Sequence, residues 1–403
     1  MKKLTVFILS LFMMLMVGSQ SVLANNRIDA SAAIMADAST GQIIYKQNVD
    51  KALPVASITK LLTILVIEDE IQQKQLSWDT QVKITPEIAA ISNDAAYSSI
   101  GLKSGQSYSV RTLINAALVK SADGATVALA TATGDGTDEF NLKMMQKAKK
   151  IGMTKTNIVN SVGLDNGDMK SFKLADLPNN AANTMSARDV AILSQYFVKH
   201  YPELLQITAQ KEVKFQIAKD QVKTAKNLNK MLPGEQYAVK GVTIDGLKTG
   251  TSDSAGACFT STGKYQGHRI ITVILHSKGS NKDNRFKATQ DLYKILKTED
   301  HLQKIKVPSS VTTRKVANGV EKTMKLTPQH VTIWSPYDTK TNYTIGTQYK
   351  KKKLEAPIWK GERVGNLRIT SDQLETLDGE PLTYSLYSAN DVRRGNFWQR
   401  LLH

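Results

Sequence analysis

The sequence predicts an α+β chain: an antiparallel sheet packed against a helical cluster, followed by a small all-β unit. Three observations predict this. Strand-like runs stand at both ends of the stretch from Ile28 to Leu296, and apolar runs at helical spacing fill the interval between them. Beyond Pro308, short alternating runs separated by turn residues take over. With 403 residues the chain can bury more than one core.

The N-terminus precedes that organisation. Lys2 and Lys3 lead into an apolar segment from Leu4 to Val17, and Val22-Leu23-Ala24 offers small residues for cleavage. Residues 1–24 therefore read as a secretory signal peptide, and the mature chain as an exported one starting near Asn25. The apolar run is too short for a membrane span, and no later segment is long and apolar enough. Cys258 is the lone cysteine, so stability must come from packing without an internal disulfide, and its neighbours Ala257 and Phe259 place it in a buried strand. The formal charge of +17 points an exported protein toward anionic surfaces, lipid headgroups or acidic wall polymers. Nucleic acid is not expected, because the lysines are scattered apart from Lys350 to Lys353 and aromatics make up only 6% of residues.

From Ile28 the chain reads as strand (Ala32–Ala36), turn (Asp37–Gly41) and strand (Gln42–Tyr45). A Pro-containing approach, Ala52-Leu53-Pro54-Val55-Ala56, then delivers Ser57 to an apolar run from Ile58 to Ile71 with Leu61, Leu62, Leu65 and Val66 at helical spacing. A long helical region follows; its apolar run Leu113–Val119 stops at Lys120-Ser121-Ala122-Asp123-Gly124 and resumes over Ala125–Ala132. Asn160 to Gly167 is a loop, and Ser186 N-caps an amphipathic helix. Val239 to Leu247 reads as a strand leading into Lys248-Thr249-Gly250-Thr251. Cys258–Thr262 and Arg269–His276 are two further strands joined by the turn from Gly263 to Gly267, and Arg285–Leu296 is a closing helix. Strands at both ends imply one sheet that joins them, in a unit spanning 25–300.

The unit spanning 301–389 is β-rich, with runs at His330–Trp334, Asn342–Ile345 and Arg363–Ile369, and reads as a stalk or spacer. Residues 390–403 set Val392, Phe397, Trp398, Leu401 and Leu402 among Arg393, Arg394 and Arg400. That is the pattern of a short basic amphipathic helix at a membrane surface, the reading favoured for an exported, basic chain, although a terminal helix packed on its own domain fits it too.

Chemistry points to Ser57-x-x-Lys60. Positions i and i+3 of a helix share a face, so the amine can reach the hydroxyl. A serine becomes a competent nucleophile when a base takes its proton, and a lysine serves as that base if burial lowers its pKa. The free N–H groups of a first helical turn favour developing negative charge. The tetrad alone is weak evidence: Ser261-Thr262-Gly263-Lys264 matches it too, in a turn between strand-like runs. A serine capping a helix, with a solvated lysine one turn on, is the bland alternative.

Context separates the two readings. Ser57-x-x-Lys60, Ser121-x-Asp123 and Lys248-Thr249-Gly250 occur in that order, whereas Lys103-Ser104-Gly105 and Ser388-Ala389-Asn390 are out of order. The set resembles that of the penicillin-recognising serine acyltransferases, S-x-x-K, S-x-N and K-T-G. Asp245-Gly246-Leu247-Lys248-Thr249-Gly250, Ala255-Gly256-Ala257-Cys258, Thr184 to Asp189 and Asn160 to Gly167 are similar to the low-molecular-mass D-alanyl-D-alanine carboxypeptidases. The resemblance runs from about Ile28 to Leu296, and the β-rich tail with its terminal amphipathic segment matches too. It implies a serine β-lactamase/transpeptidase-like fold and removal of the terminal D-alanine from peptidoglycan stem peptides, with β-lactams as inhibitors. It also implies roles. Ser57 is the nucleophile, Lys60 its general base and Ser121 a proton relay. Lys248 and Thr249 hold the substrate carboxylate, and Gly250 lets substrate backbone approach the strand edge. The N–H groups of Ser57 and Thr251 form the oxyanion hole. No metal or cofactor is implied.

Asp123 departs from the pattern, which ends in Asn. An ionised Asp only accepts hydrogen bonds, and a carboxylate close to Lys60 or Lys248 favours the charged ammonium. The expectation is that Asp123 keeps the acceptor half of the Asn role at some cost to Lys60 as a base. Two rival readings remain: a serine β-lactamase, although no glutamate here begins a Glu-x-x-Leu-Asn loop, and a catalytically weak wall-binding or transpeptidase relative.

Overall fold

The first strand, β1 (Ala30–Asp37), is apolar on both faces and therefore needs cover on both sides. The computed structural model, which describes residues 27–328, 330–337 and 341–398, shows that cover. Ala32, Ile34 and Ala36 pack into a core with Leu61, Leu62 and Leu65 of helix α1 (Thr59–Gln72). The alternate residues Ala33 and Met35 join Phe286, Leu292 and Leu296 on the opposite face.

β1 is flanked by β2 (Ile43–Gln47) and by a strand from much later in the chain. With β3 (Thr243–Ser252), β4 (Gly256–Tyr265) and β5 (His268–Ser277) the sheet runs in the order β2-β1-β5-β4-β3, antiparallel throughout. Ala30 pairs with Ser277 and Asp37 with Ile270, so the sheet joins both ends of the unit as the sequence predicts. Between those ends come α1, α2 (Asp123–Ala130) and α3 (Ala187–His200), and α4 (Asn284–Thr298) closes the unit. Ser186 caps α3 as expected, its hydroxyl accepting the N–H of Asp189 at 3.0 Å. α1 is buried on nearly every side, which explains why its apolar stripe is so broad.

Three expectations need correction. β3 begins at Thr243, not Val239, and runs through Lys248–Thr251 instead of ending before them. β4 and β5 extend to a tight turn at Gln266–Gly267, both at positive φ. A hairpin of Glu212–Ala218 with Gln221–Lys226 was not anticipated, because lysines and other exposed residues dominate it and only Phe215, Ile217 and Ala225 are buried.

The C-terminal unit is a second antiparallel sheet. Strands β6 (Thr313–Lys315), β7 (Thr323–Pro328), β8 (Thr344–Tyr349), β9 (Arg363–Thr370) and β10 (Leu382–Ser388) stand in the order β6-β7-β10-β9-β8. Its core includes Leu326, Ile333, Leu367, Leu386 and Val392. The last of these corrects the terminal segment: Val392 bridges Ile358 inside the β core instead of lining a helix, and residues 393–395 bond to the 318–320 turn. Phe397 and Trp398 stand exposed beyond it. The expected leader, residues 1–24, and Leu401 and Leu402 lie outside the described residues.

Buried polar contacts tie the two units together. Gln42 of the first unit pairs with the backbone of Trp334 in both directions, donating to its C=O at 2.7 Å and accepting its N–H at 2.9 Å. The Trp334 indole donates to Asp37, which also meets His268. Burial works against the Asp37 charge, but the bonds from His268 and Trp334 outweigh it and hold the carboxyl below its usual range. Arg188 bridges Asp50 and Glu375 across the same junction. Gln42→Ala leaves two buried backbone groups unpaired, so it should destabilise the junction by roughly 2 to 4 kcal/mol. The check is a lower denaturant midpoint for the tryptophan fluorescence transition.

Candidate active site

Ser57 sits in a short 3-10 turn, Ala56–Ile58, directly ahead of α1. Among the described residues its hydroxyl meets Lys60 Nζ and caps no backbone N–H. The preceding Ala56 has φ +47°, a left-handed conformation that costs a non-glycine residue about 1 to 3 kcal/mol. Two glycines let the surroundings close on this turn. A Cβ on Gly163, itself at φ +89°, would lie 2.0 Å from the Ala56 carbonyl oxygen, and one on Gly250 would lie 2.4 Å from that of Val55. The side of Gly250 on which a Cβ would stand thus faces the Ser57 turn, while the strand that carries it lies at the edge of the sheet.

A loop locks the other side of the turn. The side chain of Asn160 accepts the N–H groups of Val162 and Gly163 at 3.1 and 2.7 Å and donates to the Leu164 carbonyl. Asn183 accepts from the N–H groups of Val159 and Asn160 and donates to Thr59 Oγ1 and the Asn160 carbonyl. Every polar atom of both buried amides is thereby used. The result fixes the Val162 carbonyl 3.1 Å from Lys60 Nζ.

Lys60 is 0% exposed, with Nζ 2.5 Å from Ser57 Oγ. Its third neighbour is Asp123 Oδ1 at 2.7 Å. That contact is an ion pair outside hydrogen-bond alignment, since Oδ1 has no hydrogen-bond partner of its own. Burial, the largest influence, pulls the Lys60 ammonium below the ordinary lysine range, and the Asp123 charge opposes this without cancelling it. Asp123 thus acts in the direction expected from the sequence. The second oxygen of Asp123 accepts the Ser98 N–H at 2.9 Å, while the Asp123 N–H donates to the Ser98 carbonyl at 2.9 Å. One carboxylate oxygen thus accepts a hydrogen bond and the other faces the Lys60 charge.

Ser121 follows a π turn, Ala116–Lys120, at φ +61°. It is buried two residues from Asp123, yet among the described residues no hydrogen bond joins its hydroxyl to Ser57 or Lys60. Lys248 and Thr249 lie buried in β3, the edge strand of the sheet, whose outer backbone groups have no strand partner. Burial, then the neighbouring cations Lys60 and Arg285, push Lys248 well below the ordinary lysine range against the pull of Asp123. Its Nζ donates to the Thr249 carbonyl at 3.1 Å. The cluster carries more cations than carboxylates, which suits an anionic ligand.

Sequence reasoning missed Arg285. Its buried guanidinium donates to the carbonyls of Gly250 (2.7 Å) and Cys258 (3.0 Å) and to Thr251 Oγ1 (2.8 Å), pinning the segment after Lys248. One signal was available: Arg285 stands in the first turn of a helix, where the dipole disfavours a cation, so it needs partners elsewhere. Asn183 gave no comparable signal. Taken together, the site can take a proton from a hydroxyl at a water-excluded amine and hold a carboxylate beside it.

Residues 19–279 match the family model described as D-alanyl-D-alanine carboxypeptidase, and residues 301–394 match that of the penicillin-binding protein 5 C-terminal domain. The D-alanyl-D-alanine carboxypeptidase DacF of Bacillus subtilis is 25% identical over 375 residues, covering 92% of this chain and 87% of its own. The crystal structure of a peptidoglycan synthesis regulatory factor (PBP3) from Streptococcus pneumoniae is similar at TM-score 0.82 and 28% identity, over 91% of this chain and 100% of that one. Penicillin-binding protein D2 of Listeria monocytogenes, solved in its cefotaxime-bound form, is similar at TM-score 0.55 and 28% identity over 67% and 97%.

Gly163→Ala should destabilise the chain by roughly 2 to 4 kcal/mol, read by denaturant unfolding, and slow acylation by displacing the Ala56 carbonyl. Asp123→Asn removes the charge that opposes deprotonation of Lys60, so the acid limb of the acylation rate should move to lower pH. A pH profile unchanged from wild type contradicts this.

Proposed function

The chain belongs to the D-alanyl-D-alanine carboxypeptidase family, and from that premise we propose that it trims the terminal D-alanine from peptidoglycan stem peptides through an acyl-enzyme on Ser57. The observation that carries this reading is the fully buried Lys60 amine 2.5 Å from the Ser57 hydroxyl. Neutral Lys60 takes the Ser57 proton as Oγ bonds to the penultimate D-alanyl carbonyl carbon. The oxyanion is held by the N–H groups of Ser57 and Thr251, and in general one such donor contributes roughly a hundred- to a thousandfold in rate. The C–N bond then breaks, and the proton held by Lys60 passes through Ser121 to the departing amine of D-alanine. Water, deprotonated in turn, attacks the ester and frees Ser57.

Lys248 and Thr249 recognise the substrate's terminal carboxylate. The arriving charge stabilises the ammonium form that burial disfavours, so substrate binding and protonation of Lys248 reinforce each other. Arg285 keeps Gly250 and Thr251 in place for both tasks. Asp123 supplies acceptors only, to Ser98 and to the charge of Lys60. β-Lactams acylate the same hydroxyl.

The reading extends to organisation and location. Residues 1–24 are a leader, 25–300 the catalytic unit, 301–389 the β-rich unit and 390–403 a terminal segment, and the chain works outside the cytoplasm. No described helix is long and apolar enough to cross a membrane. Attachment would instead rest on a surface contact by the terminal segment, where Phe397 and Trp398 are exposed.

A fluorescent penicillin should label the wild-type chain at a long-lived Ser57 ester and leave Ser57→Ala unlabelled. D-alanine release from a stem pentapeptide should fall by roughly a thousandfold or more in that variant. Absence of labelling in wild type would mark a non-enzymatic relative, and rapid turnover of the β-lactam would mark a lactamase.

A further inference from the structure

Five cations converge on one cleft of the C-terminal unit. Arg314 and Lys315 come from the edge strand β6, Lys322 immediately precedes β7, and Lys352 and Lys353 follow β8. The cleft measures about 460 Å³ and includes the buried apolar residues Val316 and Leu354. The Arg314 guanidinium is fixed 4.5 Å over the Tyr349 ring. Among the described residues none of the five cations forms an ion pair. Glu321 and Glu355, next in sequence to Lys322 and Leu354, are exposed and pair with none of them. Like charges gathered without counter-charge make a surface that an anion relieves.

The same end of the unit presents apolar surface. The Val316 N–H donates to the Lys322 carbonyl, closing a turn whose tip bonds the terminal segment: Val320 N–H to the Arg393 carbonyl and Gly395 N–H to the Asn318 carbonyl, each at 2.9 Å. From that turn the chain leads to Phe397 and Trp398, which are 61% and 71% exposed. Trp359, 59% exposed, follows Ile358, the bridge partner of Val392.

We infer that this cleft binds the phosphate-bearing headgroups of anionic lipids. Lysine and arginine supply the donors a phosphate needs. The exposed aromatics, carried on segments bonded to the turn that follows β6, suit a water–lipid boundary, and a soluble phosphate polymer would leave them unused. The inference rests on the reading that the chain works at a membrane surface outside the cytoplasm, and it adds a site to that reading. A short amphipathic segment alone binds marginally, and each cation close to an anionic surface adds about fivefold. Because Gln42 and Trp334 lock the two units, lipid held here sets where Ser57 stands relative to the bilayer.

The test is flotation of the full mature chain with vesicles of phosphatidylcholine, with and without phosphatidylglycerol. Lys315→Glu, Lys352→Glu and Lys353→Glu together should weaken binding to the anionic vesicles by about a hundredfold. Carboxypeptidase activity on a soluble peptide should not change. Lys149→Glu, Lys214→Glu and Lys219→Glu, an equal change of charge on the other unit, should leave vesicle binding near wild type. Equal losses in both triple variants would reduce the effect to net charge and overturn the inference. So would a cleft-dependent affinity for soluble poly(glycerol phosphate) with vesicle binding unaffected. Removing residues 396–403 should weaken binding and leave a cleft-dependent remainder. Complete loss on that removal alone overturns the cleft and keeps the terminal segment as the anchor, whereas a wild-type chain that ignores both vesicles overturns both.

Discussion

Lys60 has no access to water, and its amine nitrogen lies 2.5 Å from the Ser57 hydroxyl. The rest of the unit serves that placement. A lysine in water holds its proton too firmly to act as a base, and at Lys60 removal from solvent is the main influence that loosens it. Removal is expensive unless the amine keeps partners, and here it does, in the Val162 carbonyl as a hydrogen-bond acceptor and the Asp123 carboxylate as a counter-charge. The two partners differ in kind. A carbonyl satisfies the amine in either charge state, whereas a carboxylate favours the charged one. Burial outweighs that preference, so the Lys60 amine is held below the ordinary lysine range in spite of the acid beside it.

The same constraint explains the strained backbone. A nucleophile presented from a left-handed Ala56 survives only where neighbours determine its position from several sides. Gly163 and Gly250 permit that approach, and Asn160 and Asn183 stiffen the loop that makes it. Arg285 performs the equivalent task behind the edge strand. These residues touch no substrate atom in the proposed reaction, yet they set the geometry of those that do.

Much of this was legible in the sequence. The closure of the sheet by β1 and β5 followed from strand patterns at both ends of the unit, and the order of three short motifs pointed to Ser57, Lys60 and Lys248 as the candidate site. What escaped has physical reasons. The hairpin from Glu212 to Lys226 is mostly exposed, so no apolar alternation announced it. β3 was read as ending before Lys248 because its Lys-Thr-Gly-Thr stretch is polar, although it is largely buried. Val392 looked like part of an amphipathic helix because a buried strand residue and a helix-face residue read alike in a short segment. Asn160 and Asn183 act through contacts across the loop, which no local spacing encodes. Ser121 is a relay by proposal alone, and among the described residues its hydroxyl makes no hydrogen bond to Ser57 or Lys60.

The account depends most on the protonation of one side chain. Lysine Cε chemical shifts followed by NMR across a pH titration, with Lys60 assigned from a Lys60→Met spectrum, measure it directly. Lys60 should lose its proton below the range of the exposed lysines. A Lys60 that titrates with them, or above them, would contradict it, because Asp123 would then hold the amine as an ammonium and Ser57 would lack its base.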